Sequence, residues 1–213
     1  TSADELAMLP AIAARAAANG VSDLRQISAT AALELEPALS TTGALLSPST
    51  GIIDSHALMT SLLGDAENHG ALLAVRAPVV SGRATSAGIE IDVGGDAPMT
   101  LRTRLLVNAA GHGASGLARA IEGMPPGQVP QAYFAKGSYF SMTGRTPFSR
   151  LIYPVPVKGG LGIHLTLDLA GRARFGPDVE WVDGLQYAVD PQRAESFYRG
   201  IRRYYPDLAD GAL

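Results

Sequence analysis

The chain has 213 residues, of which 46% are hydrophobic and 17% are charged, and this composition is typical of a folded domain with a buried core. Its formal net charge is −3 and its charged residues are dispersed, so no basic stripe indicates a nucleic-acid partner. It has no cysteine, which excludes disulfides, thiolate metal sites and a cysteine nucleophile. No apolar run approaches the roughly 20 residues that span a bilayer, and no signal-peptide pattern is present, so we expect a cytoplasmic protein.

The N-terminal part of the chain predicts two helices. In the first, Ser2 is the N-cap, Glu5 lies three residues later to complete a capping box, and Gly20 is the stop. A short extended piece and a second helix follow. Pro37 ends that helix, because proline disfavours helical geometry in the residue before it.

The middle of the chain alternates between predicted strands and helices. The sequence predicts a strand, a helix over residues 54–68, and a second strand in the apolar run from Leu72 to Val75. The segments "GIEIDVGG" and "MTLRTRL" alternate like antiparallel partners. The segment "LLVNAAG" predicts a buried strand that leads into the helix "SGLARAIEG".

The last third of the chain consists mainly of short predicted strands. The segments "AYFAKGSYFSM", "RLIYPVPV", "LGIHLTLD" and "RARFG" predict an antiparallel sheet. A final helix has Asp190 as its cap, Pro191 in its first position and Pro206 as its stop. Taken together, the elements predict an α+β (mixed α/β) fold.

Three glycines, Gly111, Gly113 and Gly116, form a G-x-G-x-x-G pattern between a predicted strand and a predicted helix. Alone, this pattern indicates a dinucleotide site. However, the acidic residue expected about 20 positions later is missing, and no strand follows the helix promptly. A tight structural turn with close packing explains the glycines better than a complete fingerprint does, although small residues also let a ligand approach the backbone.

Several segments resemble one enzyme family. The segments "LLVNAAGHGASGLA", "LEPALS", "LLSPSTGIIDSHALM" and "RLIYPVPVKGGLGIHLTLDLAGRARFGPDVEWV" are similar to FAD-dependent oxidoreductases of the D-amino-acid oxidase superfamily, above all its L-2-hydroxyglutarate dehydrogenase/oxidase branch. The resemblance covers nearly the whole chain. It implies a two-domain flavoprotein in which residues 51–123 are part of the FAD-binding domain and residues 1–50 and 124–213 belong to the substrate domain.

The resemblance also implies a cofactor and its contacts. In such folds a late parallel strand ends in a turn of small residues beside FAD, which implies contacts from Ala109, Ala110 and Gly111. Val79, in "APVVSG", is implied as the residue whose backbone faces the adenine. The family's own N-terminal fingerprint and C-terminal segment have no counterpart here, so we expect an internal fragment that holds FAD weakly or not at all.

His164 is the leading candidate for a catalytic residue. Strand alternation places Ile163, Leu165 and Leu167 on one face and His164 on the other. In the resembled fold that second face roofs the substrate cavity. There, an imidazole would accept the proton of the substrate hydroxyl while hydride leaves for the flavin. The alternative is a structural or solvent-facing histidine.

Tyr153 and Lys136 are two further candidates. Tyr153 would hydrogen-bond a substrate carboxylate, or pack with its hydroxyl at the rim of the sheet. Lys136 would pair with a carboxylate, or extend into solvent. No histidine has a metal-ligand partner at suitable spacing, so no metal site is predicted. Four acidic residues are interpreted as solvated charges and not as a catalytic pair: Glu34, Glu36, Asp178 and Glu180.

Three functions therefore remain open from the sequence. The first is FAD-dependent oxidation of a small-molecule L-2-hydroxy acid, foremost L-2-hydroxyglutarate, by the full-length protein. The second is oxidation of an amine or amino acid by a member of the same superfamily. The third is a non-catalytic binding or interaction domain. The fragment alone is expected to expose apolar surface where strands are missing, which would promote self-association.

Overall fold

The computed structural model describes residues 2–156 and 162–213, and the chain divides into two compact units. Unit 1 comprises Thr1–Ser55 and Phe134–Leu213, and unit 2 comprises His56–Tyr133. The sequence placed the corresponding divisions after residues 50 and 123. Residues 157–161, which include the end of the predicted strand "RLIYPVPV" and the start of "LGIHLTLD", lie outside the described residues.

The described residues form five α-helices and eleven strands, which confirms the mixed α/β class. The helices are α1 (Ala3–Ala18), α2 (Ala29–Leu35), α3 (Ser55–Asn68), α4 (Ala114–Arg119) and α5 (Ala194–Ile201). The strands are β1 (Arg25–Ser28), β2 (Gly43–Leu46), β3 (Val79–Thr85), β4 (Gly88–Val93), β5 (Met99–Thr103), β6 (Ile121–Glu122), β7 (Phe134–Lys136), β8 (Phe140–Ser141), β9 (His164–Leu167), β10 (Ala173–Gly176) and β11 (Glu180–Val182). Among the described residues, no helix is long and apolar enough to cross a membrane.

In unit 1 the first helix begins at its predicted N-cap, and both N-terminal helices end just before their predicted stop residues. The Ser2 hydroxyl accepts a hydrogen bond from the Glu5 amide at 3.2 Å, and the Ser2 amide donates to the Glu5 carboxylate at 3.1 Å. These two bonds form the predicted capping box. The Ser28 hydroxyl caps α2 through the amide of Ala31. Strand β1, which lies between these helices in the chain, pairs with β2, which follows α2, in an antiparallel ribbon.

The C-terminal part of unit 1 surrounds the main core. Strands β8, β10 and β9 form an antiparallel sheet, and β11 pairs separately with β7. Leu165, Phe175, Phe197 and Ile201 are completely buried where α5 packs against this sheet. The segment "RLIYPVPV" was wrongly predicted as a full strand, because within its described part only Ile152 bridges to Leu165. Its two prolines lack the N–H that a sheet ladder needs.

Unit 2 is built on a four-stranded sheet in the order β5, β4, β3, β6. Strands β3, β4 and β5 are antiparallel, as predicted for the last two, and β6 is parallel to β3. The strands predicted for Leu72 to Val75 and for residues 105–111 do not form. Neither segment pairs with another strand in the described part of the chain, and an extended backbone needs such a partner to satisfy its polar groups.

Candidate active site

Unit 1 contains a cavity of about 650 Å³ beside β9. Most of its lining is apolar, which is usual for a small-molecule site that fixes its ligand with a few polar groups. The polar side chains among its described lining residues are Glu5, Ser40, Thr41, Tyr153, His164, Arg203 and Tyr204. The walls are therefore assembled from segments far apart in the sequence.

Tyr153 and His164, two of the predicted catalytic residues, lie side by side on this wall. Their ring centroids are 4.3 Å apart, with 41° between the ring planes. The Ile152 amide donates to the Leu165 carbonyl at 3.0 Å, and the Leu165 amide donates back at 2.8 Å. This antiparallel bridge places Tyr153 directly opposite His164, and opposite residues point to the same face. Leu165 points into the core, so the predicted alternation is confirmed.

The end of α5 supports the backbone beside His164. The Tyr204 phenol, 3% exposed, donates to the Ile163 carbonyl at 3.1 Å. An added Cβ at Gly200 would lie 2.9 Å from the Cδ1 atom of Ile163, so glycine leaves room for this side chain where α5 approaches it closely. Burial raises the pKa of the Tyr204 phenol, which therefore keeps the proton that it donates. These contacts fix the position of the residue that precedes His164.

An ion pair between Glu5 and Arg203 lines the same cavity. Glu5 is also the capping-box residue of α1, so one carboxylate holds both the Ser2 amide and the Arg203 guanidinium. Because both partners face the cavity, the pair adds no net charge to it. The cavity wall is consequently polar at this point without being strongly cationic.

Glu36 was interpreted from the sequence as a solvated charge, and this interpretation is wrong. The residue is only 3% exposed. Its carboxylate accepts hydrogen bonds from the Ser149 amide at 3.2 Å, the Ser149 hydroxyl at 2.7 Å and the Arg150 guanidinium at 3.1 Å. A buried carboxylate needs such donors to offset its lost hydration. Glu36 thereby joins the end of α2 to the segment that carries Tyr153.

Asp178 was likewise interpreted as solvated, but it is largely buried and bonded. Its carboxylate accepts from the Ser138 amide at 2.8 Å and from the Arg193 guanidinium. The hydrogen bond to Asp178 raises the pKa of Arg193. Asp178 therefore stabilises the turn after β10 and the start of the α5 region.

Lys136, the third predicted catalytic residue, is not among the described residues that line the cavity. It lies on β7 opposite Glu180 of β11, and its Nζ atom is 3.7 Å from a Glu180 carboxylate oxygen. This cation thus already has a carboxylate partner within the protein. Contact between Lys136 and a substrate remains a prediction.

The predicted FAD contacts all lie in unit 2. Val79 begins β3 and pairs with Val93. The Ala109–Gly111 turn is held by Asn108, whose side chain accepts from the Ala110 amide at 3.3 Å and donates to the Ala114 carbonyl at 2.8 Å. Sequence reasoning did not identify this role of Asn108. The signal available in the sequence was a polar residue in a turn of small residues, where such side chains often bond the backbone.

The turn of small residues fits contact with one edge of FAD but not a complete cofactor site. Gly111 has a φ of +54°, and no atom lies within 4 Å of the place where its Cβ would be. Its exposed backbone therefore leaves room for a flat group. The glycine pattern is followed by a helix of only six residues, and residues 104–110 are not paired in a sheet. In the described part of the chain, the strand–turn–helix cradle for a pyrophosphate is absent.

Comparison with known proteins identifies related chains. A family model described as FAD dependent oxidoreductase matches residues 1–212. The mitochondrial L-2-hydroxyglutarate dehydrogenase of Arabidopsis thaliana is 37% identical over 235 residues, covering 92% of this chain and 49% of that protein. The L-2-hydroxyglutarate dehydrogenase of Salmonella houtenae is 29% identical over 182 residues, covering 84% of this chain and 42% of that protein. The chain thus spans about half the length of the curated relatives it matches.

Solved structures share the fold at low sequence identity. The FAD-bound, dithionite-reduced L-alpha-glycerophosphate oxidase of Mycoplasma pneumoniae has a TM-score of 0.79 at 19% identity, covering 99% of this chain and 56% of that one. The L-proline dehydrogenase of P. horikoshii has a TM-score of 0.76 at 16% identity, covering 97% and 54%. These structures show the shared fold, and the family match with the curated relatives confirms the resemblance that the sequence motifs predicted.

Proposed function

The chain belongs to the FAD-dependent oxidoreductase family, and on this premise we propose that the full-length protein oxidises an L-2-hydroxy acid, with L-2-hydroxyglutarate as the first candidate. The observation that carries the proposal is the Tyr153–His164 pair on the wall of the unit 1 cavity. The choice of a hydroxy acid over an amine is supported by the two curated relatives, both named as L-2-hydroxyglutarate dehydrogenases.

In this proposal His164 holds the proton that leaves the substrate. Oxidation of a secondary alcohol to a ketone removes the hydroxyl proton and the hydrogen on C2 together with two electrons. A neutral imidazole within hydrogen-bond reach of the hydroxyl accepts that proton at one of its ring nitrogens. FAD, when bound, supplies the acceptor for the two electrons and the C2 hydrogen.

Tyr153 orients the reacting groups in this scheme. Its ring packs against the His164 ring and limits the rotation of the imidazole. Its phenol is available to donate a hydrogen bond to the carboxylate next to the reacting carbon. The largely apolar lining around both residues leaves few other polar groups to compete for these contacts.

Tyr204 and Gly200 hold the backbone next to His164 in position. The hydrogen bond from Tyr204 fixes the Ile163 carbonyl, and that carbonyl belongs to the peptide that begins His164. A base that is held in one orientation needs less reorganisation when the substrate binds. Among the cofactor contacts, Val79, Ala109, Ala110 and Gly111 stay predictions, as do the cytoplasmic location and self-association.

The proposal is tested by substituting His164 in the full-length protein. His164→Ala should lower kcat for L-2-hydroxyglutarate by about 10²- to 10⁴-fold, the usual contribution of a general base. His69→Ala is the matched control, since His69 lies on the exposed end of α3 in unit 2, where its ring bonds the Asp65 carbonyl. Steady-state kinetics of wild type and both variants give the comparison. An unchanged kcat for His164→Ala would remove the proposed role of this residue.

A further inference from the structure

A second cavity of about 520 Å³ adjoins the segment that carries Tyr153. Leu151 and Tyr153 line both this cavity and the first one. The second cavity is more polar, and its polar side chains among the described residues are Ser47, Thr50, Ser149, Arg150 and Tyr153. Arg150 is the only charged side chain in that described lining.

Arg150 presents part of its guanidinium to this cavity. Its Nη1 atom donates to the Leu35 carbonyl, the Glu36 carboxylate and the Ser149 hydroxyl, at 3.0 to 3.1 Å. Within the described residues, its Nε and Nη2 atoms have no hydrogen-bond partner. The Arg150 side chain is 45% exposed, whereas its ion-pair partner Glu36 is 4% exposed and does not line the cavity.

The two arginines near the candidate site therefore differ in what they offer a ligand. Arg203 pairs with Glu5, and both of these residues line the first cavity, so their charges cancel there. Arg150 pairs with a carboxylate that lies behind the cavity wall, and this buried anion holds the guanidinium in place. The free edge of a guanidinium is suited to an anion such as a carboxylate.

Two hydroxyl groups lie on the same cavity wall. The oxygens of Ser47 and Thr50 are 2.6 Å apart, so one of the hydroxyls donates to the other. The accepting hydroxyl retains its own hydrogen, which it can donate to an anion in the cavity. The described lining of this cavity contains no carboxylate that would repel such an anion.

We propose that Arg150, with Ser47 and Thr50, binds the second carboxylate of a dicarboxylic 2-hydroxy acid. This inference rests on the proposed function and deepens it, since it assigns the residues that select a dicarboxylate over a monocarboxylate. The reacting end of the substrate lies against Tyr153 and His164, and the far carboxylate occupies the neighbouring cavity. Arg150 is a specificity-determining residue in this arrangement, because it contacts a substrate group that does not react.

The test compares two substrates of equal length in the full-length protein. L-2-Hydroxyglutarate and L-2-hydroxypentanoate share a five-carbon chain and differ in whether its far end is a carboxylate. Arg150→Met should lower kcat/KM for the dicarboxylate by about tenfold to a hundredfold, the range for a lost charged hydrogen bond, and leave the monocarboxylate unchanged. The kcat/KM of Arg150→Lys for the dicarboxylate should lie between those of wild type and Arg150→Met, because lysine keeps the charge but not the planar fork.

The control is Arg145→Met, at an exposed arginine on the same segment that lines neither cavity in the described residues. It should leave both substrates unchanged. An equal loss for both substrates in Arg150→Met would overturn the subsite, since a purely structural role of Arg150 affects both alike. An unchanged ratio of the kcat/KM values for the two substrates would overturn the subsite too.

Calorimetric binding of glutarate and pentanoate separates this proposal from the proposed function. If wild type oxidises neither hydroxy acid but binds glutarate more tightly than pentanoate, and Arg150→Met removes that preference, the subsite holds and the oxidation proposal fails. If glutarate and pentanoate bind equally, or glutarate binding does not depend on Arg150, the subsite is wrong whatever the protein oxidises.

Discussion

The two units of this chain bury their apolar residues to very different degrees. In unit 1, Phe175 and Phe197 are completely buried between α5 and the sheet of β8, β10 and β9. In unit 2, α3 has no buried residue among those the structure describes, and Leu72 is 95% exposed. Both units nevertheless have apolar segments with clear periodicity. Apolar periodicity in the sequence therefore gives a well-packed helix or strand only where the fold supplies a partner surface.

The same difference separates the predicted catalytic pair in unit 1 from the predicted cofactor contacts in unit 2. The Tyr153–His164 pair is supported from behind by a closed core and by the Tyr204 hydrogen bond. The Ala109–Gly111 turn is held by local contacts from the side chain of Asn108. We therefore expect substitutions in unit 1 to change stability far more than substitutions in the exposed apolar segments of unit 2.

The largest effect is expected from Phe197→Ala. Phe197 is fully buried and packs edge-on against Phe140, with ring centroids 4.8 Å apart. Removing a buried phenyl ring costs about 3–5 kcal/mol, since apolar contacts are lost and a cavity remains. Urea denaturation of wild type and variant measures the change in the free energy of unfolding. A loss as small as that of a surface substitution would contradict the closed core of unit 1.

A somewhat smaller effect is expected from Glu36→Ala. The substitution removes the shared acceptor of the Ser149 amide, the Ser149 hydroxyl and Arg150. Leaving these donors without their partner should cost about 2–4 kcal/mol in the same urea experiment. Glu36→Gln should cost less, because its amide oxygen still accepts a hydrogen bond. Equal stability of wild type and Glu36→Ala would show that this buried network does not stabilise unit 1.

Tyr204→Phe should cost about 1 kcal/mol near neutral pH, because it removes one hydrogen bond and leaves the Ile163 carbonyl unpaired. The variant also changes the response to alkaline pH. Burial raises the pKa of Tyr204 in the folded chain, whereas an unfolded tyrosine loses its proton near pH 10. Above about pH 10 the folded state therefore binds more protons, and stability falls as the pH rises.

Urea midpoints at about pH 8 and about pH 11 measure this response, with the unfolded tyrosine ionised only at the higher value. Wild type should lose stability between the two conditions, and Tyr204→Phe should lose less. Identical losses in both proteins would mean that Tyr204 does not cause the alkaline destabilisation.

The smallest effect is expected from Leu72→Ala. The leucine is almost fully exposed in an unpaired segment of unit 2, so its truncation removes few contacts. The free energy of unfolding should change by no more than about 0.5 kcal/mol. A loss comparable to that of Phe197→Ala would show that this segment is packed in solution, and the contrast between the two units would no longer hold.

Local features of the fold were predictable from the sequence, and long-range contacts were not. The capping box of Ser2 and Glu5 and the alternation around His164 depend on residues a few positions apart. The Glu36–Ser149 contact joins residues 113 positions apart. Because this contact is not visible in the local sequence, the Glu36 carboxylate next to a helix end was interpreted as solvated. Periodicity cannot show which distant donor reaches a carboxylate.

The candidate site follows the same rule. The pairing of Tyr153 with His164 depends on one antiparallel bridge that no local pattern specifies, although both residues were predicted individually. Tyr204 was missed because its hydrogen bond to Ile163 spans 41 positions. The strands predicted at residues 72–75 and 105–111 do not form, for the opposite reason. Their local pattern suits a buried strand, but the described chain offers them no neighbour.

The central claim is that the full-length protein uses FAD to oxidise an L-2-hydroxy acid. The most direct measurement is the visible absorption spectrum of the full-length protein, recorded without oxygen before and after addition of L-2-hydroxyglutarate. We expect a flavin band that bleaches on addition of this substrate in wild type, and much more slowly in His164→Ala. A flavin band that L-2-hydroxyglutarate and other L-2-hydroxy acids leave unchanged, or a protein without any flavin band, would contradict it.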